Sequence, residues 1–320
     1  MKKYCVIIVS YIILSAFILN PRQGETREAG KDSSPDLTQL GIEELMKIEV
    51  ATVVSASKYK QKVTEAPSSV SIITSGEIKQ YGYRTLADIL RSVRGFFVTY
   101  DRNYSYIGVR GFARPGDYNT RILVLIDGYR FNDNIYDEAL VGTEFVIDVD
   151  LIDRVEVIRG PSSSLYGTSA FFGVVNVITK QGKDVKGPEI SGEAGSFKTY
   201  KGRISYGHQF KNDFEMLLSG SSYDSKGEER LYYKEFDNPA TNYGVAENAD
   251  GDRNYSLFSK FSFHDFTLEV AHVSRGKVIP TASFNTVFND SRNRTTDEYS
   301  FINLRASCKS LRKAYRKSFS

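Results

Sequence analysis

The chain has 320 residues, with 42 Lys and Arg against 39 Asp and Glu, for a net charge of +3. That balance, with no basic stripe interleaved with aromatics before the C-terminal tail, excludes nucleic acid as a partner. Three scattered histidines and two cysteines give no metal-ligand spacing, and no Ser/His/Asp set can be assembled, so the expectation is a non-enzyme without a cofactor.

Residues 1–24 read as a signal peptide. Lys2 and Lys3 precede a short apolar core, and the uncharged run is under the ~18–20 residues of a spanning helix, the competing reading. Cys5 would leave with it, so the mature chain, with Cys308 alone, has no internal disulfide. Residues 25–62 are a flexible N-terminal segment. Within it, 36–47 could form a short helix with Ile42, Leu45 and Met46 on one face. The octet Glu49, Val50, Ala51, Thr52, Val53, Val54, Ser55 and Ala56 is extended and β-prone.

From residue 63 to 182 strands and helices alternate, the pattern of a compact α+β domain with a mixed sheet. A strand covers 66–74, and Thr74 with Glu77 offers a capping box. Thr85 with Asp88 offers a second, followed by Leu86, Ile89, Leu90 and Val93 on one helical face and Gly95 as the expected C-terminal cap. Strands follow at 96–100 and 106–112. Residues 121–131 read as strand, Asp127-Gly128 turn and returning strand. The run 152–180, IDRVEVIRGPSSSLYGTSAFFGVVNVITK, reads as strand, glycine-bounded loop and buried strand. No Gly-Lys-Ser/Thr follows and the loop leads to a strand, so phosphate binding is improbable.

That run resembles the end of the plug domain of TonB-dependent outer-membrane receptors, with its pattern of I-E-R-I-E-V-I-R-G-P, L-Y-G and N-I-I-T-K. The resemblance covers 63–180 and is specific at 66–74, 107–112, 123–128 and 152–180, while Arg94-Gly95 departs from the usual Pro-Gly. It implies that the octet 49–56 is a TonB box, an extended strand that would add to a sheet edge of the partner TonB. The first strand of the plug is the rival reading of that octet. It also implies that Arg110, Arg159 and Glu156 make plug–barrel contacts, against ordinary strand-end ion pairs. Tyr104, Tyr106, Asn132 and Tyr136 are expected to touch a small-molecule substrate, a ferric siderophore or other iron chelate, or cobalamin.

After residue 182, alternating segments such as 214–221, 255–263 and 266–272 are separated by tight turns at 211–213 and 264–265 and long polar loops at 226–253 and 280–296. Short turns at one end and long loops at the other suit a transmembrane β-barrel in outer-membrane lipid. A soluble sandwich would alternate likewise, and the plug upstream tips the balance. Plugged barrels close with roughly 22 strands; the ~140 residues after Lys180 supply about six or seven. Residues 183–308 are therefore read as the first strands of an incomplete antiparallel barrel, and 309–320 as an aberrant basic tail of a truncated or frame-shifted product. The function expected is TonB-dependent uptake of a scarce nutrient across the Gram-negative outer membrane. The alternative is a non-transporting remnant or a passive exported binding or scaffold module.

Overall fold

In a computed structural model the described residues are 52–53, 61–62, 69–114 and 116–306, all within the unit Val50–Ser320. The leader 1–24, the short helix at 36–47, the tail 309–320 and most of the octet 49–56 lie outside them. Of the octet, β1 (Thr52–Val53) is described, paired antiparallel with β2 (Gln61–Lys62).

Strand β3 (Ser69–Thr74) runs into α1 (Ser75–Tyr81), and Thr74 closes the expected capping box: its hydroxyl accepts Glu77 N at 3.3 Å and its own N–H donates to Glu77 Oε2 at 2.7 Å. Thr85 and Asp88 do the same for α2 (Leu86–Arg91), which buries Leu86, Ala87, Ile89 and Leu90. This helix ends earlier than the glycine suggested. The Ser92 hydroxyl donates to Ile89 O at 2.7 Å, and Val93 N turns back to Leu90 O, tightening the last turn. Gly95 does take a left-handed conformation (φ 86°), but as the corner into β4 (Phe96–Tyr100), where its carbonyl accepts Arg110 N.

Strand β4 pairs with β5 (Ser105–Val109) as a separate hairpin. The plug sheet proper has five strands in the order β3-β8-β9-β6-β7. Its members are β6 (Ile122–Ile126), β7 (Tyr129–Arg130), β8 (Ile152–Arg159) and β9 (Gly173–Thr179), with α3 (Ser163–Tyr166) in the glycine-bounded loop. Asp127 (φ 50°) and Gly128 (φ 85°) make the expected primed turn between β6 and β7. Strand β9 lies parallel to β6 and antiparallel to β8, so the sheet is mixed. Val155 and Val157 enter the main core while Ile158 packs on the other face with Leu123 and Val174. Burial on both faces explains the continuous β-branched run at 174–179.

A one-turn helix, α4 (Gly182–Val185), leads out of the plug. It sits so close to the next sheet that a Cβ on Gly182 would lie 2.1 Å from Met216 O, and one on Gly207 would lie 2.5 Å from Gly182 O. Both glycines are there for that close approach.

The second sheet has six antiparallel strands joined by neighbours in sequence: β10 (Gly187–Gly195), β11 (Thr199–Gln209), β12 (Glu215–Ser225), β15 (Asp252–Phe263), β16 (Phe266–Val278) and β17 (Arg294–Ala306). Between β12 and β15 a long loop carries the hairpin of β13 (Arg230–Tyr232) and β14 (Val245–Glu247). Residues 210–214 and 264–265 are the short turns of one end; loops 226–251 and 279–293 project from the other. Ile190, Ile204, Leu257, Ile302 and Leu304 point outward and are exposed, whereas the alternate positions Arg203, Phe258, Glu269, Val273 and Arg275 are buried. Phe210, Phe214 and Phe263 cluster at the short-turn end with ring centroids 5.6 and 6.5 Å apart. An apolar outer face with an aromatic girdle is the pattern of a membrane-spanning wall. Among the described residues the sheet is open, with β10 and β17 as its edges.

The plug packs on the inner face of this wall. Phe131, 1% exposed, meets Tyr299 edge-on at 4.7 Å, and Tyr129 stacks on Phe301 at 5.1 Å. Leu217, Phe258, Ala271 and Val273 of the wall join the plug's own core.

Candidate functional site: the plug–wall interface

Charged side chains at inward positions of the wall face carboxylates of the plug. Near the short-turn end, Lys260 Nζ lies 2.9 Å from Asp127 Oδ2 and 2.9 Å from Thr179 Oγ1. The fully buried Glu269 takes Arg305 at 2.7 Å and Asn303 at 2.9 Å, with Lys260 at 3.5 Å. Arg305 also donates to the Asp127 carbonyl. Two cations thus meet two carboxylates. Along β11, Lys201 pairs with Asp148 at 3.0 Å and Arg203 with Asp150 at 3.4 Å, while Arg203 also binds Glu189 of the wall. Lys180, at the exit of the plug, donates to Asp150 O at 2.7 Å.

At the long-loop end Arg275 is the hub, 1% exposed. Its guanidinium donates to Asp252 at 3.1 Å, to Asp297 at 3.1 Å and to the plug carbonyl of Asn103 at 2.8 Å. Glu144 of the plug stands 3.6 Å away, and the Tyr104 ring lies beneath the guanidinium at 5.8 Å. The Tyr104 hydroxyl donates to Asp297 at 2.6 Å. Burial, then that hydrogen bond to a carboxylate, pushes the Tyr104 phenol far up. Burial also raises the Glu144 carboxyl, an effect that Arg275 only partly opposes. Glu138, close to Glu144, Asp133 and Asp297, is pushed up to about 8, first by burial and then by those like charges. Arg102 reaches Asp250 in the long loop at 3.2 Å, and Asp250 in turn holds Lys277 at 2.7 Å and the N–H of Glu228 at 3.1 Å. A cavity of about 660 Å³ opens beside this network, lined among others by Arg84, Arg91, Tyr100 and Tyr223.

Local turns shape the plug loops that reach the wall. Asp101 accepts the N–H groups of Asn103 and Tyr104 at 2.8 and 2.7 Å, folding loop 101–104. Asp133 does the same for Ile135 and Tyr136. Asn119, buried in the left-handed region at φ 59°, bridges Ile107 N, Ser105 O and Ala139 O.

Of the residues expected to touch substrate, Tyr104 is at the hub and Tyr136 is exposed on loop 132–138. Tyr106 and Asn132 are elsewhere. Tyr106 is buried, its hydroxyl closing the Asp101 turn at 2.8 Å. Asn132 is 1% exposed, and its amide accepts Val124 N and donates to Ile122 O and Asp137 O. Both serve the folding of the loops rather than presenting a surface. Arg110 (φ 53°) and Gly111 (φ 83°) form the left-handed corner after β5. Arg159 bonds Ser69 at 2.6 Å and Arg94 O at 3.1 Å, and Glu156 pairs with Arg154 at 3.0 Å, all within the plug. Among the described residues, ion pairs from the plug to the wall and its loops run through Arg102, Asp127, Glu144, Asp148 and Asp150, which sequence reasoning missed. Among the described residues no group of three or more His, Cys, Asp or Glu is placed to hold a metal, and no helix is long and apolar enough to cross a membrane.

A family profile, TonB-dependent Receptor Plug Domain, matches residues 62–174. The vitamin B12 transporter BtuB of Vibrio vulnificus is 34% identical over 179 residues, which cover 55% of this chain and 28% of the transporter. The iron-regulated outer membrane virulence protein of Vibrio cholerae is 34% identical over 139 residues, covering 42% of this chain and 21% of that protein. The chain therefore spans less than a third of the length of these relatives. Among solved structures, the ferripyoverdine receptor of Pseudomonas aeruginosa superposes with a TM-score of 0.54 over 79% of this chain and 34% of its own, at 16% identity. The ferric-catecholate import receptor Fiu of E. coli K12, in its closed form, gives 0.53 over 71% and 29%, at 20% identity. Those two likenesses speak for the fold. Profile match, relatives and fold agree on one domain: residues 62–174 are a TonB-dependent receptor plug domain, here docked on an outward-apolar wall.

Proposed function

We propose that the chain serves TonB-dependent active uptake of a scarce small molecule, a ferric siderophore or cobalamin, across the outer membrane. The observation that carries this reading is the docking of the plug, through Asp127, Asp148 and Glu144, onto inward cations of a wall whose outer face is apolar. A plug held by many polar contacts blocks passive flow, so passage needs work done on the plug. The octet 49–56 is the handle for that work: an extended segment donates main-chain hydrogen bonds to TonB. Residues 1–24 direct export. Tyr104 and Tyr136, with the exposed loops 226–251 and 279–293, meet the solute, and Arg110, Arg159 and Glu156 set the plug's own corners for contacts with the barrel. The reading gains weight from relatives that carry vitamin B12 or are iron-regulated outer-membrane proteins.

The test is uptake of labelled cobalamin and of ferric siderophores in a host lacking its own receptors, with and without TonB. Uptake in the first strain and none in the second is the expected result. Equal uptake in both would remove the energy-coupled reading. Solute retained at the outer membrane but never accumulated inside would select the alternative, an exported module that binds without transporting.

A further inference from the structure

The two ends of the plug–wall interface are built differently in charge. At the short-turn end Lys260 and Arg305 face Asp127 and Glu269, two cations for two carboxylates, all but Arg305 nearly inaccessible. The plug's contribution there, Asp127, is held by a lysine at 2.9 Å and further fixed by Thr179, whose N–H donates to its other oxygen at 3.1 Å. At the long-loop end one guanidinium, Arg275, faces three carboxylates: Asp252, Asp297 and Glu144. The two wall acids already take the short contacts. The plug's acid is left at 3.6 Å, and its Oε2, buried, has no hydrogen-bond partner.

Burying a carboxylate costs several kcal/mol unless an opposite charge and hydrogen bonds offset it. Glu144 Oε1 has its hydrogen bonds, from Val141 N at 3.2 Å and Gly142 N at 2.8 Å, but these come from its own turn and do not tie it to the wall. Its link across the interface is one long ion pair, shared with two competing acids. Glu138 adds a further carboxyl on the plug side, and Asp133 lies beyond it. The nearby cations Lys277 and Arg102 are both engaged by Asp250. Besides the Arg102–Asp250 ion pair at 3.2 Å, the plug's other bonds here come from its neutral groups: the Tyr104 hydroxyl on Asp297, the Asn103 carbonyl on Arg275, and the Asn103 side chain accepting Thr295 Oγ1 at 2.9 Å. Thr143 adds a bond to Asp252 at 2.7 Å, and its carbonyl accepts Asn254 at 2.9 Å.

We propose that the plug is held to this wall by two unequal latches, a firm one at Lys260–Asp127 and a releasable one at Arg275–Glu144. Loops 101–104 and 141–145 then leave the wall while the end of β9 stays seated. The plug opens as a flap hinged at its short-turn end rather than sliding out whole. The polarity of the device is set by one excess carboxylate. It does not depend on which solute is carried, nor on transport itself.

Hydrogen exchange read by mass spectrometry on the intact chain in outer-membrane vesicles tests this. In the wild type, peptides spanning 101–104 and 141–145 should exchange at least about tenfold faster, after correction for intrinsic rates, than peptides spanning 125–128 and 176–180. Glu144→Gln removes the excess charge while its amide oxygen can still accept Val141 N and Gly142 N. It should slow exchange at 101–104 and 141–145 about threefold or more and leave 125–128 unchanged. Asp127→Asn should speed exchange at 125–128 and 176–180 more than at 141–145. Equal protection at the two ends of the wild type would overturn the proposal, and so would faster exchange at 141–145 in Glu144→Gln. Should Asp127→Asn fail to assemble, the wild-type comparison and Glu144→Gln still decide.

Discussion

Lys260 of the wall and Asp127 of the plug meet at 2.9 Å with 9% and 6% of their side chains accessible, across 133 residues of sequence. Asp127 is there because the primed turn it forms with Gly128 points its carboxylate at the wall, and Lys260 because it sits at an inward position of β15. Removing one partner leaves the other buried and uncompensated. Lys260→Met should therefore cost about 3–5 kcal/mol of plug stability, seen as a lower denaturant midpoint for the plug. The double variant Lys260→Met with Asp127→Asn should recover a clear part of that loss. A single variant with an unchanged midpoint would contradict the pairing.

Tyr104→Phe keeps the ring under Arg275 and deletes only the 2.6 Å bond to Asp297. Loss of a hydrogen bond to a charged group costs about 1.5–3 kcal/mol. The loop 101–104 should open more often, and trypsin should cleave after Arg102 several-fold faster. Tyr106→Phe removes the bond to Asp101 inside the loop instead. It should disturb the loop's shape without freeing Asp297.

Glu138 gives a pH dependence of known sign. Its carboxyl is raised from 4.5 to about 8 by burial and neighbouring acids. Between those values the unfolded chain has released this proton and the folded chain keeps it, so the group's contribution to stability falls as pH rises. It is fully favourable below about pH 4.5 and is lost progressively up to about pH 8. Glu138→Gln should flatten the midpoint-against-pH curve over that window, as followed by denaturation at fixed pH steps. A curve of unchanged slope would place the titration elsewhere.

The seat of α4 is a steric prediction. A methyl group at residue 182 would fall 2.1 Å from Met216 O, a backbone atom that cannot swing aside. Gly182→Ala should cost about 1–3 kcal/mol through overpacking. It should also loosen the junction between plug and wall, seen as faster proteolysis after Lys183 or Lys186. Gly192→Ala, with nothing within 4 Å of its added carbon, is the control and should be silent.

Local signals in the sequence were legible and long-range pairings were not. Thr74 with Glu77, Thr85 with Asp88 and the Asp127-Gly128 turn each act within four residues, so their spacing alone announces them. The 152–180 run was legible because a strand buried on both faces must be continuously apolar, and 174–179 is nearly so. Gly95 misled because a left-handed glycine marks a corner without saying whether it caps the helix before it or opens the strand after it. Arg110 and Arg159 drew attention as Arg-Gly pairs; Arg110 stands in a left-handed corner and Arg159 donates to Arg94 O. The acids that meet the wall carry no local signature, since an aspartate in a turn looks alike whether it faces solvent or a buried lysine. One hint was available: Glu269, Arg275 and Lys277 share the parity of Ala271 and Val273 in β16, the inward face. Charge at every such position needs a partner across the lumen, and only the fold says which.

The most direct test of the account is Val53→Pro in a TonB-containing outer-membrane host. Proline removes a main-chain donor from the segment proposed to pair with TonB. The account predicts that accumulation of cobalamin or ferric siderophore falls to the level of the TonB-less host while solute binding at the cell surface is kept. Accumulation that survives the substitution would contradict it.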